Sequence, residues 1–171
     1  SIVLPDANRA GYSFTGWYTE ETGGTKVGDA GESYTPNATT TFYAQWKINT
    51  YTLTVNPNKG TWNGSTSNSS FTQNYGTTKS IANPTPPVGY TVTFDGNTGT
   101  AGQSSITSTK SFVNWTEEGP GTLSGTTYTF GAGAGTLTAN YANNAITLPT
   151  ATKEGYHCIG WFTSANGGEK R

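Results

Sequence analysis

Charge is scarce in this chain: only 11% of its 171 residues are Asp, Glu, Lys or Arg, and the net charge is −1. A phosphate-binding surface needs clustered Lys and Arg, so nucleic acid is disfavoured as a partner. Methionine is absent, and His157 and Cys158 are the single histidine and cysteine. One cysteine cannot build a disulfide framework within the chain. Its near-absence suits an exported bacterial protein as well as a cytosolic one. No apolar run of about 18 residues and no basic-then-apolar leader occurs, so membrane insertion is not expected of this segment. Helical periodicity is also missing, because glycine interrupts every candidate stretch.

What is present is aromatic and repetitive. Aromatic residues make up 13% of a chain otherwise rich in Gly, Thr, Ser and Asn. Their regular placement supplies the burial that disordered chains lack, so the chain is expected to fold. Gly11-Tyr12-Ser13-Phe14-Thr15-Gly16-Trp17 recurs as Gly155-Tyr156-His157-Cys158-Ile159-Gly160-Trp161. Ile2-Val3-Leu4-Pro5 precedes the first copy and Ile146-Thr147-Leu148-Pro149 the last. Thr19, Gly23 and Gly24 follow in one, Thr163, Gly167 and Gly168 in the other. An elongated middle copy runs from Ile81-Ala82-Asn83-Pro84 through Gly89-Tyr90 to Phe112 and Trp115, interrupted by an insertion from Thr91 to Ser111. The ending Thr41-Phe42-Tyr43-Ala44-Gln45-Trp46 matches Thr136-Leu137-Thr138-Ala139-Asn140-Tyr141. The last copy stops at Arg171, opposite Val27, without a counterpart of 28–46. The chain is therefore read as a piece of a longer protein.

Alternation of β-branched or aromatic residues with polar ones places strands at Tyr51–Val55, Ser70–Tyr75, Tyr90–Phe94, Thr109–Trp115, Thr126–Phe130 and Thr136–Tyr141. Asn58-Lys59-Gly60, Asp95-Gly96-Asn97 and Ser124-Gly125 read as the turns between them. At most one helical turn per unit is expected, around Thr25–Gly31 or its equivalent. Within the heptapeptide, Tyr12 and Phe14 share one face. Gly16 marks a bulge or a close approach, and Trp17 covers the sheet end. Cys158, in the place of Phe14, reads as a small buried hydrophobe.

At these residues the chain resembles the Listeria–Bacteroides repeat family, which includes the B-repeats of internalin-type surface proteins. The resemblance implies tandem β-grasp-like modules in secreted or wall-attached bacterial proteins, where they extend and present other domains. It implies no catalytic residue. The fold class expected is all-β or β-dominated α+β with very little helix. The modules are 1–46, 51–141 with a leading hairpin and the 91–111 insertion, and 145–171 as the first half of a further repeat. Gly11, Tyr12, Phe14, Gly16, Trp17, Trp46, Gly89, Tyr90, Phe112, Trp115, Tyr141, Gly155, Tyr156, Gly160 and Trp161 form its structural motif.

Residues capable of chemistry are few. His157 and Cys158 are neighbours, so on a strand they face opposite ways and cannot pair as base and nucleophile or share a metal. Asp95-Gly96-Asn97-Thr98-Gly99 resembles the start of a calcium loop, but it lacks a closing Glu and reads better as a hairpin turn. Glu20-Glu21 and Glu117-Glu118 follow their Trp residues and read as solvated loop charge rather than a glycosidase pair. An isopeptide crosslink from Lys47, Lys59, Lys79 or Lys110 stays open, whereas the acceptor sequons at Asn37, Asn63, Asn68 and Asn114 read as chance matches in a chain so rich in Asn, Ser and Thr, normally unmodified in a bacterial protein. Four of the five tryptophans occupy repeat positions and read as packing. Trp62, between Gly60 and Gly64, does not, and is expected to be the most exposed. The reading is a non-catalytic, cofactor-free stalk or spacer region of an extracellular bacterial surface protein. Its partners are neighbouring modules. The alternative is a module that binds host glycan or protein through Trp62 and the inserted hairpin.

Overall fold

The computed structural model describes residues 1–171 and contains no helix. The first copy holds β1 (Ile2–Val3), β2 (Tyr12–Tyr18), β3 (Lys26–Gly28), β4 (Ser33–Tyr34) and β5 (Tyr43–Ile48). Between it and the last copy lie β6 (Thr50–Asn56), β7 (Ser69–Asn74), β8 (Thr78–Ser80), β9 (Thr91–Thr93), β10 (Thr100–Ala101) and β11 (Ser105–Thr107). These are followed by β12 (Lys110–Glu118), β13 (Thr122–Ser124), β14 (Thr127–Thr129) and β15 (Gly135–Asn143). The last copy holds β16 (Ala151–Thr152). The protein is all-β, as its alternation dictates, and each strand expected from the sequence overlaps an observed one. No helix of the protein is long and apolar enough to cross a membrane.

The chain divides into two compact units. The first comprises Ser1–Asn56, Ser67–Asn83 and Trp115–Thr138. Here β2 is central in the order β3-β2-β5, with Phe14 opposite Trp46 and Tyr18 opposite Tyr43. β15 runs parallel to β6, pairing Gly135 with Leu53 and Leu137 with Val55. β7 runs antiparallel on the other side of β6, pairing Leu53 with Phe71. Alternation along β6 and β15 sends Leu53, Val55 and Leu137 inward, each 0% exposed, and Ile81, Tyr128 and Phe130 join them in the core. The outward positions carry threonine, and Thr52 and Thr72 hydroxyls meet across the ladder at 2.8 Å. β13, β14 and β8 form a three-stranded sheet whose Tyr128 packs edge-on against Phe130 at 5.3 Å.

The second unit comprises Pro57–Thr66, Pro84–Asn114 and Ala139–Arg171. The inserted segment is ordered as a hairpin of its own, β9 against β11, with Val92 opposite Ile106. Between those strands β10 pairs with β16 of the last copy, Ala101 opposite Ala151. The turn at Asn58-Lys59 has both residues in the left-handed region, φ 46° and 72°, and closes with the Gly60 amide donating to Pro57 at 2.9 Å. Gly60 has no room for a side chain, because an added Cβ would lie 2.2 Å from the Tyr141 hydroxyl and 2.5 Å from the Thr85 carbonyl.

The helical turn expected around Thr25–Gly31 is replaced by strand β3. Thr19 and Thr25 clamp the loop: the Thr19 amide donates to the Thr25 carbonyl and the Thr25 amide to the Thr19 hydroxyl, both at 3.0 Å. That clamp lays Lys26–Gly28 antiparallel to β2 and spends the amides that a helix would need.

Candidate functional site

The repeated heptapeptide is strand β2 in the first copy and has no strand over residues 157–161 in the last, where a strand was expected, yet several of its contacts recur. In the first copy the Trp17 indole donates to the Pro5 carbonyl at 2.8 Å, and in the last the Trp161 indole donates to Pro149 at 2.8 Å. The Ile-x-x-Pro opening therefore supplies a carbonyl that pins the tryptophan. Gly11 and Gly155 share a left-handed φ, 76° and 74°. Gly16 and Gly160 share a more unusual one, 123° and 131°. Gly16 lies at the bulge where the β2–β5 register shifts between Phe14 and Gly16. An added Cβ on Gly16 would meet the Lys26 side chain at 2.5 Å, and one on Gly160 would meet Lys170 at 2.7 Å. The threonine clamp recurs too: the Glu169 amide donates to the Thr163 hydroxyl at 3.1 Å and the Thr163 amide to the Glu169 carbonyl at 3.1 Å.

The first and middle copies share a second set of contacts where the motif strand meets the closing strand. Phe14 lies 5.5 Å from both Trp17 and Trp46, and Phe112 lies 6.2 Å from Tyr141. The Asn49 amide donates to the Gly11 carbonyl at 2.9 Å, as the Asn144 amide does to Thr109 at 2.9 Å. Ser13 donates to the Asn49 side-chain oxygen at 2.6 Å, and Ser111 to that of Asn144 at 2.9 Å. These two asparagines close the ladders. Their signal was present: each falls at the same offset after its closing aromatic, Trp46 or Tyr141.

Asn49 also reaches forward. Its carbonyl accepts the Tyr75 amide at 2.9 Å, and its side-chain amide donates to the Tyr51 hydroxyl at 3.4 Å. The Tyr75 ring packs edge-on to Tyr12 at 6.1 Å and fills the space over Gly11. The first copy therefore runs into the middle one with a single residue between β5 and β6, bonded on both sides.

Trp62 is not the exposed ring expected from its polar surroundings. It is 3% exposed, the most buried of the tryptophans, while Trp17, Trp46, Trp115 and Trp161 are half-buried. Its amide and carbonyl exchange bonds with Ser65 at 2.9 and 3.0 Å around Asn63 and Gly64, both left-handed. Asn-Gly is the preferred centre of a two-residue hairpin. The Trp-Asn-Gly-Ser string thus signalled a tight turn flanked by an inward ring. In this conformation Trp62 offers no face to a sugar.

The other candidates are also placed. Cys158 is exposed rather than buried. The Asp95 carboxylate accepts the Asn97 amide at 2.9 Å, making the segment a side-chain-capped turn. Lys79 lies over the Phe71 ring at 3.8 Å and Lys110 over Tyr90 at 4.9 Å. None of Lys47, Lys59, Lys79 and Lys110 is buried as an isopeptide donor requires. The Glu117 carboxylate caps the Leu123 amide. Burial raises the Tyr128 hydroxyl above its usual pKa, with Glu117 adding to the shift, and burial likewise raises that of Tyr141. Tyr141 donates to the Pro57 carbonyl at 2.7 Å.

A recurring heptapeptide, a proline-pinned tryptophan and a glycine of unusual φ define a repeat protein. The Listeria-Bacteroides repeat domain matches residues 1–45 and 125–171, more than half of the chain, and the chain belongs to that family. It is 50% identical over 46 residues to Internalin H of Listeria monocytogenes, covering 27% of this chain and 8% of that protein. It is 33% identical over 90 residues to a Gly-rich protein of Evansella cellulosilytica that is described as a membrane protein, covering 50% of this chain and 10% of that one. The chain thus spans a tenth or less of the curated relatives it matches. No solved structure matches it.

Proposed function

We propose that this chain is a non-catalytic spacer segment of a bacterial surface protein, secreted or wall-attached, that extends and presents other domains. Its modules are 1–46, 51–141 and the first half of a further one at 145–171, and each has its neighbour as partner. The observation that carries this reading is the junction at Asn49. A flexible tether has no fixed partners, whereas Asn49 bonds Gly11 and Ser13 behind it and Tyr51 and Tyr75 ahead of it. A linker of one residue with both sides bonded has almost no conformational freedom to lose, so the first copy holds a set orientation on β6 and β7. Low charge and a threonine-rich outer face also suit a segment whose task is reach rather than capture.

The test is an in-frame exchange of this region for a Gly/Ser linker of equal length in the parent surface protein. Antibody access to the distal domain on intact cells should fall while the amount of protein on the cell stays constant. Unchanged access would refute the spacer role.

A further inference from the structure

We infer that the insertion of residues 91–111 is a docking strand for the repeat that follows it, and that it accepts openings of the form Pro-x-Ala-x-Lys/Arg and no others. In taking a neighbouring repeat as its partner this rests on the spacer reading. The contacts lie between 94–102 and 149–161, away from Asn49, so docking and spacing can fail separately. Within the insertion Phe94 is the one buried residue, and its ring packs against Trp161 at 4.8 Å. The chain then turns through Asn97 and Thr98, both left-handed at φ 45° and 69°. The strand that leaves this turn, β10, lies along the opening of the last copy. Thr100 pairs with Thr152 and Ala101 with Ala151, and the Gly102 amide donates to the Thr150 carbonyl at 2.7 Å. That bond sets the parity of the ladder: Thr100–Thr152 is a hydrogen-bonded pair, and Ala101–Ala151 is the closer, non-bonded kind.

Two glycines let the segments approach. Neither Gly99 nor Gly102 has a positive φ, so neither is there for backbone freedom. An added Cβ at Gly99 would lie 2.7 Å from the Thr152 carbonyl oxygen and 3.0 Å from the Lys153 Cβ. One at Gly102 would lie 3.1 Å from the Thr150 carbonyl oxygen. Beside the bare Gly99, Lys153 reaches the turn, and its ammonium donates to the Thr98 hydroxyl at 2.7 Å. Backbone pairing supplies the attraction, and the positions of Ala151 and Lys153 supply the register.

Counted from the motif proline, the three openings differ where β10 reads them. Pro149-Thr150-Ala151-Thr152-Lys153 is matched by Pro5-Asp6-Ala7-Asn8-Arg9, with alanine and a cation at the same places. The middle copy has Pro84-Thr85-Pro86-Pro87-Val88 instead. Pro87 falls at the position of Thr152, whose amide the hydrogen-bonded pair requires, and proline has none to give. Pro86 replaces the alanine, and Val88 replaces the cation that meets Thr98. An insertion-bearing repeat therefore takes a repeat of the short type after it and rejects one of its own type.

Amide exchange on the whole chain tests this. The Gly102 amide reports the docked strand, and the Phe94 amide, which donates to Ser104 at 2.8 Å, reports that the insertion itself is folded. Giving the last copy the middle opening, Ala151→Pro with Thr152→Pro and Lys153→Val, should lower Gly102 protection about tenfold or more while Phe94 keeps its own. Gly99→Val should do the same from the other side, because its side chain meets backbone. Giving the last copy the first opening, Thr150→Asp with Thr152→Asn and Lys153→Arg, should leave Gly102 within about twofold of the parent. Undiminished Gly102 protection in either of the first two variants overturns the docking role. A tenfold loss with the first-copy opening overturns the stated preference.

Discussion

Alanine at Gly11 tests the junction most directly, and its cost separates into two parts. The residue sits at φ 76°, where a side chain costs about 1–2 kcal/mol. An added Cβ would also lie 2.1 to 2.5 Å from Cγ, Cδ1 and Cδ2 of Tyr75. Those atoms are the base of the ring rather than a flexible tip, so the whole ring must move and lose its edge contact with Tyr12. Overpacking of this kind costs about 1–3 kcal/mol. Gly11→Ala should therefore lose about 2–5 kcal/mol in all. Gly155 is the internal control, with the same motif position, φ 74° and nothing within 4 Å of its Cβ direction. Gly155→Ala should lose the backbone part alone, about 1–2 kcal/mol. Urea unfolding followed by tryptophan fluorescence measures both, with amide exchange assigning each transition to its unit. In a Tyr75→Ala background the excess at Gly11 should vanish, a coupling that a double-mutant cycle isolates. Equal losses at the two glycines, or an excess that survives removal of the Tyr75 ring, would refute the packed junction.

Other perturbations probe the core and the turns. Trp62→Ala should cost about 3–5 kcal/mol in urea unfolding, because a buried ring leaves a cavity; a melting temperature unchanged from the parent would contradict its burial. Lys59→Gly should stabilise by about 0.5–1 kcal/mol, since lysine is held at φ 72° where glycine is at ease; a loss of stability would show that the turn needs the side chain. Burial raises the Tyr128 pKa in the folded state. Its contribution is therefore complete below the ordinary tyrosine value near 10 and is lost as pH rises through the higher folded value. Tyr128→Phe should flatten the alkaline fall in stability, and an unchanged slope would refute the burial argument.

Sequence alone determined the all-β class, the strand positions and the repeat, because a two-residue period and a recurring heptapeptide are local properties of the chain. The bulge at Gly16 was legible for the same reason: a glycine inside a strand pattern signals one. The Thr25–Gly31 segment was not, because the clamp between Thr19 and Thr25 is a choice between two sets of hydrogen bonds that composition does not rank. Trp62 was misplaced by averaging over its polar neighbours, whereas the Asn-Gly turn beside it sends the ring inward. The unequal surroundings of the motif copies were decided only by tertiary structure. Gly11 and Gly155 share a backbone angle, yet one lies under the Tyr75 ring and the other faces open space. Phe14 packs against Trp46 of β5, whereas Cys158 at the same motif position is exposed. A repeated sequence specifies its own fold, but what lies against each copy depends on residues distant in the chain, and only the folded molecule brings them together.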